Sequence, residues 1–508
     1  MSAPSVAGPD AAALRLDEAE RLSDQLTPEW LEEHGVLPLR EEGGRMVVAT
    51  WRDGLDVQAL DTLRLLFALP LALARAPEEA VRGAIRRAYG DGAETAAGFI
   101  ADLSADPGPE GGEPGLDDLV SLANEAPVVK LVNLLLLEAL EARASDVHIE
   151  GYARSLRVRY RLDGVLQDVP APPARLMPAV ISRLKIMADL DIAERRVPQD
   201  GRIRLRLKDR QVDVRVSTLP TLGGESVVLR LLDKERGGRV KLTDLGMAPD
   251  TLAAFRQAVA RPHGVVLATG PTGSGKTTTL YAAVDHIRTG REKILTVEDP
   301  VEYELEGVPQ VQVNEKVGVS FATALRALLR QDPDVMLVGE IRDEETASIA
   351  IHAALTGHLV LSTLHTNDAP SALTRLFDLG VAPYLVASTV EAVLAQRLVR
   401  LVCGACAEAH APERGLMADF GGEAPPERVM RGRGCPECRG TGYRGRQGVY
   451  ELLVLDDDVR ALLLATRDAG QLRRAAMERG MRTLRMDGLR LVREGLTTPE
   501  EVLRVTRG

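Results

Sequence analysis

The sequence predicts an α/β protein built around a parallel sheet with crossover helices, preceded by further domains. Two observations carry that reading. From about Thr243, short apolar runs alternate with stretches of helical periodicity: Val265–Ala268, Ile294–Val297, Val335–Val338 and Leu359–Ser362. Continuous apolar runs of this length suit strands buried on both faces. The glycine-rich run Gly270-Pro271-Thr272-Gly273-Ser274-Gly275-Lys276-Thr277 also sits where the first of these strands meets a helical pattern.

Size and composition bound the rest. At roughly 150 residues per domain, the chain of 508 residues predicts three or four domains. Its net charge of −11 argues against a protein that coats nucleic acid. Sixteen aromatic residues (6 Phe, 2 Trp and 8 Tyr) are too few for stacking platforms on single strands. The longest apolar stretch, Leu65–Ala74, is interrupted by Pro70 and too short to span a bilayer. The first thirty residues hold six acids, two arginines and no apolar core of a secretory signal, so a cytoplasmic protein is expected.

In chain order, residues 1–103 form the first predicted domain, a small helical docking module with helical patterns at Glu29–Leu37 and Val57–Ala68. Residues 104–115 (SADPGPEGGEPG) hold seven Gly or Pro and three acids. They offer nothing to bury and read as a flexible linker. Residues 116–235 read as an α+β domain. Leu131–Leu140 has helical spacing, and Leu156, Val158, Tyr160 and Leu162 alternate with Arg157, Arg159 and Arg161 up to an Asp163-Gly164 turn. Ile203, Leu205 and Leu207 alternate with Arg202, Arg204 and Arg206, and Val212, Val214 and Val216 with Gln211, Asp213 and Arg215. These strands belong to an antiparallel sheet with one apolar and one arginine-rich face. Between Arg154 and Arg215 lie 15 basic and 8 acidic residues, a surface suited to phosphate or an acidic partner unless it is merely solvated.

Residues 236–400 carry the predicted core and its chemistry. Gly270 to Thr277 is a complete phosphate loop. Its glycines let successive backbone N–H groups turn inward around phosphates, and the helix N-terminus adds its positive end. Lys276 reaches the terminal phosphates, and the Thr277 hydroxyl ligates Mg²⁺. Hydrolysis further needs carboxylates at neighbouring strand ends. Glu298 and Asp299 end the second strand, and Glu340 follows the third in Leu337-Val338-Gly339-Glu340. One acid holds Mg²⁺ and another orients or deprotonates water. Gly339 occupies the usual position of the metal-holding acid, so Glu340 is expected to take that role. His358 and His365 bracket the fourth strand and are candidates for sensing the terminal phosphate, or else structural residues.

Residues 401–445 contain all four cysteines, in Cys403-Gly404-Ala405-Cys406 and Cys435-Pro436-Glu437-Cys438. Two such knuckles suit a tetrahedral Zn²⁺ rather than a redox pair. Four thiolates leave no open position, so the expected role is structural, with no part in hydrolysis. Residues 446–508 read as a helical completion of the core.

Taken together, Ser145-Asp146-Val147-His148-Ile149-Glu150, Pro198–Arg202, the phosphate loop, Glu298–Tyr303, Leu325–Asp343, the histidine pair and the tetracysteine insert resemble the secretion ATPase superfamily, and in domain order its type II secretion branch. The resemblance covers about residues 116–508. It implies a RecA-like core behind a PAS-like α+β domain, and a homo-hexamer using ATP, Mg²⁺ and Zn²⁺. It implies a base at Glu298, with Asp299 and Glu302 close enough to share the role, a metal-holding acid at Glu340, and histidine-box residues His358 and His365. Thr278 joins the loop residues as a nucleotide contact, and Arg202, Arg215, Arg326, Arg330 and Arg342 supply arginines. The implied task is powering pseudopilus assembly, with type IV pilus extension as the alternative. Implied partners are the cytoplasmic part of an inner-membrane platform protein resembling general secretion pathway protein L, met through residues 1–103, and a polytopic platform protein resembling general secretion pathway protein F. No nucleic acid and no membrane span are implied.

Overall fold

In the computed structural model, the described residues are 16, 19, 22–23, 26, 28–52, 57–88, 96–105, 116–152, 155–207, 210–233, 240–412, 420, 426 and 428–507. Most of the predicted linker (106–115) and residues 234–239, at the boundary between the second predicted domain and the core, lie outside them.

The first domain has its predicted helices, at Pro28–His34 and Val57–Phe67, but it is mixed rather than helical. Strands β1 (Val36–Glu42), β2 (Arg45–Thr50) and β3 (Leu71–Arg75) form a sheet, β1–β2 antiparallel and β2–β3 parallel. The run Met46–Thr50 is buried along its length, so it lacks the alternation that marks a strand in sequence. The helix Ala96–Ala105 packs on the next domain, where Ala96 and Ile100 join the core and Glu138 accepts the Ala96 N–H at 2.7 Å.

The second domain is a six-stranded antiparallel sheet in the order β6-β5-β4-β9-β8-β7. Its strands are β4 (Asp146–Tyr152), β5 (Ser155–Leu162), β6 (Val165–Val169), β7 (Gln199–Leu207), β8 (Arg210–Thr221) and β9 (Gly224–Asp233). The predicted alternation holds. Val158, Tyr160, Ile203, Val214 and Val216 point into a core closed by the helices Ala126–Glu141 and Met177–Met187. The arginine face is largely paired within itself: Arg157 with Asp168 at 2.6 Å, Arg159 with Glu150 at 2.7 Å and Arg230 with Asp146 at 3.0 Å.

The core is a seven-stranded sheet in the order β12-β11-β13-β14-β10-β15-β18. Its predicted strands are β10 (Gly264–Thr269), β11 (Ile294–Glu298), β13 (Val335–Val338) and β14 (Leu359–Leu364). The structure adds β12 (Gln310–Gln312), β15 (Val390–Val402) and β18 (Tyr443–Val454), so residues 446–508 are not purely helical. All pairings are parallel except β15 with β18. Side chains alternate between two cores, Val265 and Leu267 on one face, Val266 and Ala268 on the other, which explains why these strands read as unbroken apolar runs. Between β15 and β18 the chain forms the cysteine insert, with the short hairpin β16 (Ala407–His410) and β17 (Val429–Gly432). No helix among the described residues is long and apolar enough to cross a membrane.

Candidate active site

Parallel strands aim their carboxyl ends one way, so β10, β11, β13 and β14 deliver their following residues to a single edge. β10 delivers the phosphate loop. Gly273 and Gly275 have φ of 79° and 88°, which favour glycine, and the helix Lys276–Ile287 starts directly behind them. A Cβ on Gly270 would lie 2.5 Å from the Gln396 carbonyl oxygen, so only glycine lets the loop pass β15. Lys276 is buried and donates to the carbonyls of Gly270 (2.7 Å) and Pro271 (3.1 Å). Burial pulls its ammonium down to about 8, with Arg397 adding to the shift and Glu340 opposing it. The Ser274 hydroxyl is buried without a hydrogen-bond partner, as a group facing a phosphate oxygen would be.

Glu340, just beyond β13, pairs with Arg342 and lies 3.2 Å from His365 Nε2. Burial pushes its carboxyl up, but Arg342 and His365 outweigh it and hold the group below the usual carboxylate range. An ionised acid beside the loop fits Mg²⁺. Thr277 and Glu340 would hold the ion, which offsets phosphate charge when bound.

Glu298 is 3% exposed and accepts three donors: the Tyr281 hydroxyl, Thr296 Oγ1 at 2.6 Å and Gln310 Nε2 at 3.1 Å. Tyr281 lies four residues after Thr277 on the loop helix, about 6 Å along its axis. The carboxylate is thereby fixed beside the first turns of that helix. Asp299, the next residue, is exposed instead and faces the second domain. There a cavity of about 630 Å³ separates Asp299 and Gln312 from Arg202, Arg215 and Arg230. Arg215 Nη2 reaches the Val301 carbonyl at 3.4 Å and Glu302 Oε2 at 3.5 Å.

Other expected residues make local contacts instead. His358 precedes β14, so it sits at the opposite end of the strand from His365, about 23 Å away at 3.3 Å per residue. Its Nδ1 lies 2.9 Å from the Ala353 carbonyl oxygen, a local bond at the end of the strand away from the phosphate loop. Arg326 pairs with Glu345 at 2.6 Å on an exposed helix face, and Arg330 donates to the Arg326 carbonyl at 3.0 Å. Sequence reasoning missed Tyr281, Gln310 and Arg397. Arg397 is a buried cation whose Nη1 would lie 3.0 Å from a Cβ on Gly270. Lying within the apolar run of β15, it gives no local signal.

The four cysteines converge, with all sulfurs within 4.8 Å of one another. Cys403–Cys435 and Cys406–Cys438 are 3.8 Å apart and Cys435–Cys438 3.7 Å. A tetrahedron of 2.3 Å Zn–S bonds has edges of about 3.8 Å. Burial opposes ionising Cys438, but the N–H groups of Cys435 and Gly442, 3.1 and 3.2 Å from its sulfur, prevail and hold it near the thiolate, at about 6. The site fits Zn²⁺, which Cys403, Cys406, Cys435 and Cys438 would hold.

A phosphate loop on a parallel sheet, with an ionised acid and a buried glutamate at the adjoining strand ends, defines an ATPase. The profile described as type II/IV secretion system protein matches residues 121–504, and that of the MshEN domain matches residues 8–95. The type II secretion system protein E of Xanthomonas campestris pv. campestris is 46% identical, over 98% of this chain and 89% of its own length. The type IV pilus assembly ATPase PilB of Myxococcus xanthus is 45% identical, over 93% of this chain and 84% of its own. The X-ray structure of the Legionella pneumophila ATPase DotB superposes with a TM-score of 0.55 at 21% identity, covering 74% of this chain and 94% of that one, a likeness of fold. The chain belongs to the type II/IV secretion system protein family and is a secretion ATPase with a RecA-like core.

Proposed function

We propose that this ATPase acts as a cytoplasmic homo-hexamer on the inner face of the inner membrane, where Mg²⁺-dependent ATP hydrolysis powers pseudopilus assembly in type II secretion. The observation that carries the catalytic part is the shared edge of Lys276, Thr277 and Glu340, with Glu298 fixed beside the loop helix. In this reading Lys276 holds the terminal phosphates, Glu340 holds Mg²⁺, Glu298 orients and deprotonates water, and Arg202 and Arg215 stabilise transition-state charge. Residues 1–103 dock to the cytoplasmic part of a platform protein resembling general secretion pathway protein L. A polytopic protein resembling general secretion pathway protein F is a second contact. The secretion assignment is supported by the relative named type II secretion system protein E, which aligns with nearly the whole chain. The PilB likeness favours pilus extension as the second reading.

Two measurements test this. Purified protein should turn over ATP with Mg²⁺, without stimulation by DNA or RNA, and Lys276→Ala should abolish turnover. Pull-down with purified inner-membrane components of the two systems separates them: capture by pilus platform proteins alone would reassign the machine.

A further inference from the structure

Six non-glycine residues among those described have positive φ, and three of them line one cavity. They are Arg143 (φ 59°) and Asp163 (φ 47°) of the second domain and Arg439 (φ 52°) of the cysteine insert. The cavity, about 930 Å³, also reaches Gly275 and Thr278 of the phosphate loop and its helix. Asp163 has a local reason for its place: it accepts from the Gly445 N–H at 2.8 Å and meets Arg446 at 3.4 Å, joining the two domains across the cavity.

The two arginines have no such reason. Arg143 follows the helix Ala126–Glu141 and Arg439 follows the short turn Pro436–Cys438, positions where glycine adopts the left-handed backbone at less cost. Neither guanidinium has an ion-pair partner among the described residues. The neighbouring cations are paired: Arg400 with Glu501 and Arg444 with Glu437. Arg143 of the second domain and Arg439 of the cysteine insert therefore line one space, which reaches the phosphate loop at Gly275 and Thr278.

The backbone of Arg439 is held by the cysteine knuckle. Its N–H donates to the Pro436 carbonyl at 3.1 Å, and the next N–H, of Gly440, to the Cys435 carbonyl at 2.9 Å. Cys438, immediately before it, carries one of the four converging sulfurs. A metal on those thiolates fixes the loop from which Arg439 projects.

We propose that Arg143 and Arg439 clamp the nucleoside end of bound ATP, and that the tetracysteine knuckle, by setting Arg439, makes nucleotide affinity depend on zinc. This rests on the ATPase reading above. Planar guanidiniums stack on a base and donate to ribose oxygens, which suits a clamp beyond the phosphates.

The test uses glycine, which relieves the backbone while removing the charge. Full-length Arg439→Gly and Arg143→Gly proteins are titrated calorimetrically with a slowly hydrolysed magnesium-ATP analogue and, separately, with magnesium tripolyphosphate. Zinc content and melting temperature are measured alongside. Each variant should keep its zinc, melt no lower than the wild type, bind the nucleotide about tenfold more weakly, and bind tripolyphosphate as the wild type does. Chelator-stripped wild-type protein should show the same split. Nucleotide affinity within twofold of wild type in both variants overturns the clamp, and an equal loss for tripolyphosphate overturns its assignment to the nucleoside. Wild-type protein that binds neither probe refutes the ATPase reading itself.

Discussion

Replacing Glu298 by glutamine separates the chemistry of this carboxylate from its packing. One oxygen accepts from Thr296 and Gln310, the other from Tyr281. Glutamine keeps the volume but turns one acceptor into an N–H₂ donor. With its oxygen toward Thr296 and Gln310, the amide points N–H at the Tyr281 hydroxyl; reversed, it opposes two donors. At least one buried donor loses its acceptor in either pose. Such a mismatch costs about 1–3 kcal/mol, or roughly 2–4 °C of melting temperature per kcal/mol for a domain of this size. Loss of the base should lower turnover by about 10²–10⁴ while nucleotide binding persists. Differential scanning calorimetry, steady-state ATP turnover and equilibrium nucleotide binding on one preparation read all three effects. Near-normal turnover with a lowered melting temperature would make Glu298 structural and move the base to Asp299 or Glu302. An unchanged melting temperature would refute the network argument.

Three further outcomes are expected. Because burial pulls Lys276 down to about 8, the free protein loses this charge as pH rises through 8. Nucleotide affinity should therefore fall by about tenfold per unit above pH 8, and a flat profile from pH 7 to 9.5 would contradict the assignment. The tetracysteine site should hold one Zn²⁺ per chain by elemental analysis, and Cys403→Ser with Cys406→Ser should lose metal and local fold together; protein free of zinc without chelator treatment would defeat this. Arg215→Ala and Arg202→Ala should lower kcat far more than they weaken ATP binding, since transition-state arginines are worth roughly 10³–10⁵ in rate; wild-type rates in assembled hexamers would leave these residues as surface cations.

What the sequence by itself determined is chemistry confined to a few neighbouring residues. The phosphate loop spans eight positions, and its glycines, lysine and threonine have the same backbone geometry wherever such a strand meets such a helix. Each knuckle places two thiolates by its short spacing, though only the fold brings the two pairs together, and alternating Arg and apolar residues mark both faces of the second domain's sheet. Tertiary structure decided which of these local features meet. His358 and His365 bracket β14 in sequence, but only strand direction and sheet order put His365, and not His358, beside Glu340. Glu298 gains its partners from Tyr281, 17 residues before it, and Gln310, 12 residues after it. The buried strand β15 bears Gln396 and Arg397 beside the loop, and then leads to the cysteine knuckle. No local pattern announces those encounters, because they depend on the order of strands in the sheet, and that order is set by which apolar faces bury best against one another across hundreds of residues.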